Sequence, residues 1–168
     1  MARLYMSVMT CKQAVRFVLI QQQHYTHGQG TKMTTLITDR KYTVIISASI
    51  AKNDPLYNLI STERMHDRLT REYHVNPIRA IGVWQGIGEQ SFVIHTNSSH
   101  VVGEIKRLGL EVYHQEAVLI SNNRKHDVQL HHIDATTSHI GHGFKCTNRA
   151  PALGCYTILN GQDYWSVT

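Results

Sequence analysis

The chain has 168 residues, 42% of them hydrophobic, with a mean hydropathy of −0.28 and a formal net charge of +5. That is enough apolar material for one globular domain, or a small domain with an appendage. No apolar run approaches the length that spans a bilayer as a helix. The charge is uneven. Residues 1–32 carry Arg3, Lys12, Arg16 and Lys32 and no acid, which leaves 13 bases against 12 acids in the remainder. A body so close to neutral does not support the basic stripe that nucleic-acid binding needs. Cys11, Cys146 and Cys155 are few, odd in number and lack Cys-x-x-Cys spacing. They point to a reduced, cytosolic protein with neither a disulfide framework nor a structural zinc site.

The segment "CKQAVRFVLIQQQHYTHGQGTK" joins one short apolar patch to a glutamine run and a glycine-rich end. It lacks the apolar length and cleavage site of a signal peptide. Residues 1–32 are therefore expected to form a basic, disordered leader, with a single domain over 33–168 and Met33 as an alternative start.

"YTVIISASI", from Tyr42 to Ile50, is rich in β-branched residues and predicts a buried strand. Asp54 followed by Pro55 predicts a helix start, with Leu56, Leu59, Ile60 and Leu69 as its apolar face and a stop before Asn76-Pro77. "IRAIGVW" and "QSFVIHT" predict two strands joined as a hairpin through a glycine turn. "NSSHVVGEIKRLGLEV" predicts a helix, with Val101, Ile105 and Leu108 on one face and Gly109 as its stop. "EAVLIS" and "DVQLHHI" predict a further strand pair. Residues 135–153, polar and broken by Gly141, Gly143 and Pro151, predict a long loop. Asn160-Gly161 predicts a closing hairpin. The order strand, helix, strand, strand, helix, strand implies an α+β fold. It is ferredoxin-like: an antiparallel sheet with two helices on one face, extended by C-terminal strands. The uncovered face implies oligomerisation.

Twelve histidines raise the question of a metal. His131 and His132 point to opposite faces of a strand. His139 and His142 sit in a glycine-containing stretch without a cysteine or carboxylate at ligand spacing, so solvated or hydrogen-bonded histidines are expected and no metal site. "GVWQGIGEQ" is neither a Walker loop nor a dinucleotide fingerprint. Its spacing alone favours an ordinary hairpin with Glu89 solvated near the turn over one that holds an acid for function. Gln115, before "EAVLIS", fits a surface residue or a ligand contact.

Three stretches favour function: "YTVIISA", "RLGLEVYHQEAVLIS" and above all "APALGCYTILNGQDYWSV". Together they resemble the phage S-adenosylmethionine lyases, long called S-adenosylmethionine hydrolases, from about Met33 to the end. The resemblance implies a PII-like, ferredoxin-like homotrimer with active sites between subunits. It implies cleavage of S-adenosylmethionine to 5′-methylthioadenosine and homoserine lactone without metal or cofactor. It places the enzyme in the cytoplasm of an infected host, where loss of the methyl donor counters restriction and modification. The family's essential glutamate falls on Glu89 and its glutamine on Gln115. Its tyrosine falls on Trp84, a departure that keeps the flat ring and loses the hydroxyl. Glu89 is thus the expected catalytic residue, and Trp84 and Gln115 the expected substrate contacts. Three other readings stand beside this one: a non-catalytic PII-like trimer that binds S-adenosylmethionine or an adenine nucleotide, a hydrolase that gives homoserine directly, and a basic nucleic-acid binder.

Overall fold

The computed structural model describes residues 36, 38–50, 52–84, 86–151 and 155–168. The expected leader over 1–32 and the alternative start at Met33 lie outside the described residues. Among those described, nine strands form a single curled sheet and two α-helices pack on it, an α+β architecture.

The strands are β1 (Tyr42–Ser47), β2 (Ile78–Trp84), β3 (Ile87–Thr96), β4 (Ala117–Asn122), β5 (Asp127–His132), β6 (Thr137–Gly141), β7 (Phe144–Thr147), β8 (Cys155–Leu159) and β9 (Asp163–Val167). Their spatial order is β6-β5-β4-β1-β3-β2-β8-β9-β7, and every pairing is antiparallel. The apolar centre of the sequence thus becomes the centre of the sheet. Val44, Ile46, Phe92, Ile94 and Val118 point to one face, while Ile45, Ala80, Val93, Leu159 and Trp165 point to the other.

Helix α1 (Pro55–Arg71) follows β1, and α2 (Ser99–Arg107) follows β3. Asp54 caps α1 by accepting from the Leu56 N–H at 2.8 Å, and Pro55 opens the first turn, where its missing N–H costs nothing. The buried side of α1 differs from the expected one. Ser61, Thr62, Met65 and Leu69 face the sheet, whereas Leu56 is 63% exposed and Ile60 42% exposed. The reason lies in the entry loop. Asn58 is held at Ile50, donating to its carbonyl at 2.9 Å and accepting from its N–H at 3.0 Å. That anchor points Asn58, Thr62, Met65 and Leu69 inward, and Thr62 satisfies its hydroxyl by donating to the Asn58 carbonyl at 2.8 Å.

Ser98 caps α2 by accepting from the Val101 N–H. Val102, Ile105 and Leu108 are buried, with Val101 partly so. Gly109 does not stop this helix. The chain continues as a π-helical turn over Leu108–Val112. Gly109 is required for a different reason: a Cβ there would lie 2.7 Å from Val118 Cγ2 and 3.0 Å from Ile46 Cδ1. Both helices pack on the Val44/Phe92 face.

The stretch expected to be a loop, 135–153, instead contains β6 and β7. β6 pairs with β5 and β7 with β9, which places them at the two ends of the strand order. Only His142 and Gly143 separate them in sequence, so the chain itself draws the two edges together. The His142 N–H donates to the Thr168 carbonyl at 2.6 Å, and the Thr168 N–H donates to the Gly143 carbonyl at 3.1 Å. The curl makes the helix-free face concave.

Candidate active site

The β2–β3 hairpin begins where Trp84 pairs with Ile87, and β3 therefore starts three residues earlier than "QSFVIHT" suggests. Gly86 takes a φ of +81°, the left-handed conformation that glycine adopts without strain. Glu89 is consequently a strand residue paired with Gly82, not a solvated turn residue. Strand alternation places Glu89, Ser91 and Val93 on the concave face.

That face encloses a cavity of about 530 Å³, within the usual range of small-molecule sites. Glu89, Trp84 and Gln115 all line it. Glu89 is half-buried, and its carboxyl is pushed up to about 7, chiefly by burial. A hydrogen bond from the Ser47 hydroxyl lowers it, and the neighbouring charge of Glu116 raises it further. The Ser47 hydroxyl also reaches the Gln90 carbonyl at 2.8 Å. It has one proton to give, so bonding to Glu89 competes with that backbone contact. Gly82 leaves room beside the acid: a Cβ there would meet Ser91 Oγ at 2.7 Å and Glu89 Cγ at 3.9 Å.

Gln115 is buried, not a surface residue. Its N–H donates to the Gly109 carbonyl at 3.0 Å and its Nε2 to the Ser49 carbonyl at 2.9 Å. This fixes the amide plane and leaves the Oε1 end as a hydrogen-bond acceptor. Trp84 is 52% exposed and Ile87 is 59% exposed. The indole thus offers an open ring face at the hairpin beside the cavity.

Sequence reasoning missed Glu116, Ser47, Ser49 and Gly82 in this wall. Glu116 had a usable signal, a second carboxylate at the strand entrance in "HQEAVLIS". Serine and glycine in a strand or just past its end carry none. Two carboxylates facing one apolar-walled cavity favour a cationic ligand. Among the described residues no group of three or more His, Cys, Asp and Glu side chains is arranged to hold a metal. A carboxylate does reach the His139/His142 pair, from a neighbouring strand and not at local spacing: Asp127 Oδ1 lies 2.8 Å from His139 Nδ1.

No curated protein matches this sequence. Residues 44–168 match the model of the S-adenosylmethionine lyase family, a span that takes in both helices, all of β2 to β9 and every residue described for the cavity. The chain belongs to the S-adenosylmethionine lyase family, whose members degrade S-adenosylmethionine.

Proposed function

We propose that this protein breaks S-adenosylmethionine by intramolecular lactonisation, and that Glu89 anchors the substrate for it. The observation that carries the reading is a half-buried carboxylate, beside an open indole ring and a fixed amide, in one cavity.

The substrate supplies its own reactants. Its γ-carbon is activated by the attached sulfonium, and its α-carboxylate is the nucleophile. A carboxylate oxygen forms a bond to that carbon while the carbon–sulfur electrons go to sulfur. The products are a five-membered homoserine lactone and neutral 5′-methylthioadenosine. No protein nucleophile, metal or cofactor enters the balance. The protein must fold the methionine arm so that oxygen, carbon and sulfur lie in line, which is worth roughly 7–11 kcal/mol. Opposite charges vanish as the bond forms, so a cavity poor in water favours the step.

Glu89 bonds the substrate ammonium, which keeps its charge throughout. Placed against the sulfonium it would stabilise the ground state more than the transition state and slow the reaction. Trp84 stacks on the adenine or lies over the sulfonium, a cation–π contact of roughly 0.5–2 kcal/mol. The free carbonyl end of Gln115 accepts from the adenine or ribose. Glu116 adds negative potential that draws the cation in.

The β4-β1-β3-β2 core with its two helices supports a ferredoxin-like, PII-like domain over 33–168. Exposed Trp84 and Ile87 beside the cavity support a homotrimer with sites between subunits. The biological setting that fits this chemistry is the cytoplasm of an infected host, where methyl-donor loss counters restriction and modification. Nucleic acid and membrane have no part in it. Among the described residues no helix is long and apolar enough to cross a membrane.

Proton NMR of S-adenosylmethionine incubated with wild-type protein and with Glu89→Gln tests the reading. Methylthioadenosine should accumulate with wild type alone. Intact substrate in both samples refutes catalysis, and normal turnover by Glu89→Gln refutes the anchor.

A further inference from the structure

A second cavity, of about 490 Å³, opens on the helix side of the sheet. Tyr57, Ser61, Arg64 and Arg68 line it at i, i+4, i+7 and i+11 of α1, one face of that helix. Tyr113 closes it from beyond the π-helical turn. Its charge is opposite to that of the concave cavity. Glu89 and Glu116 line the concave one, whereas Arg64 and Arg68 line this one. Ile50 and His114 belong to both walls, so the two cavities are neighbours.

The arginines are not consumed by the fold. Arg64 is exposed and makes no ion pair among the described residues. Arg68 bonds Glu72 through its Nε, at 3.1 Å to Oε2 and 3.2 Å to Oε1, which leaves its Nη donors for other partners. One such partner is Tyr113, whose phenol is raised by burial and drawn back by Arg68 and Arg64. Asp67, the one acid in the wall, lies 4.0 Å from Arg71. Forked guanidinium donors suit an oxyanion, and the two tyrosines supply ring faces for a flat group attached to it.

We propose that this helix-side cavity is a second ligand site, for a small organic anion carried on a flat ring, the chemistry of a nucleoside monophosphate. The acidic concave cavity disfavours the same ligand, so a cationic substrate and an anionic ligand sort to opposite sides of the sheet.

Calorimetric titration with AMP tests this, with adenosine as the ring without the anion. Wild type should bind AMP saturably, and adenosine at least about tenfold more weakly. Arg64→Ala and Arg68→Ala should each weaken AMP about tenfold or more, and Glu89→Gln should leave it within about twofold. Arg64 is exposed and makes no ion pair among the described residues, so an unchanged melting temperature will show that its variant is folded. Absence of saturable AMP binding overturns the proposal. So does adenosine binding as tightly as AMP, or loss of AMP binding in Glu89→Gln with Arg64→Ala unaffected.

Discussion

Glu89 is held against its own preference. Burial in the folded protein pushes its carboxyl up to about 7, from 4.5 when it is solvated. Above about pH 7 it is ionised in both states, and only the folded state bears the cost of a buried charge. Below about 4.5 it is neutral in both, and the cost disappears. Glu89→Gln should therefore raise the unfolding free energy at pH 8, by on the order of 3 kcal/mol, and change little near pH 4. Denaturant midpoints at the two pH values check this, and a difference independent of pH contradicts it. Activity should move the opposite way, the usual exchange of stability for function. A cation binds the ionised form, so kcat/KM for wild type should rise with pH to a plateau above about 7. Under the proposed function Trp84 contributes its ring. Trp84→Ala should raise KM by about 2- to 30-fold, and Trp84→Phe by less. Equal KM for all three proteins removes the indole from the site.

At the scale of elements, local chemistry predicts starts better than faces. Asp54-Pro55 marked the beginning of α1, and Asp54→Ala should lower stability by about 1 kcal/mol through loss of the cap, as read from a denaturation curve. The buried face of α1 was not legible. It is set by Asn58 at Ile50, and it buries Ser61 and Thr62 where apolar residues were expected. The end of α2 was misread for a related reason. A glycine near a helix end suggests a cap, but Gly109 is there because Val118 and Ile46 approach it. Gly109→Ala should cost about 1–3 kcal/mol by overpacking, where a simple cap would lose less. β6 and β7 were illegible from their own residues. They are short, mostly exposed and polar, and pairing with β5 and β9 makes them strands.

For the molecule as a whole, the curl of the sheet is what makes a site. Glu89, Trp84 and Gln115 come from two hairpin strands and a strand entrance, and only the curled sheet gives them one cavity. Gly141 sits at the seam where the edges meet, with Val167 and the Thr168 carbonyl where a side chain would stand. Gly141→Val should open that seam and lower stability by about 1–3 kcal/mol, visible as a lower melting temperature. The sequence revealed the family through its C-terminal hairpin and its β1 and β4 stretches. It pointed to Glu89 and Gln115 through that likeness, since spacing alone favoured a solvated acid and a surface amide. Glu116 went unnoticed because its significance is spatial: its charge acts on a residue 27 positions earlier in the chain.

The central claim, that the substrate's own carboxylate displaces the thioether, is tested most directly by running the reaction in ¹⁸O-water and examining the earliest products by mass spectrometry. Lactonisation predicts homoserine lactone free of ¹⁸O, and homoserine that appears later with the label in its carboxyl group. Homoserine formed from the outset with ¹⁸O in its side-chain hydroxyl would mean that water attacks the γ-carbon, and would contradict the account.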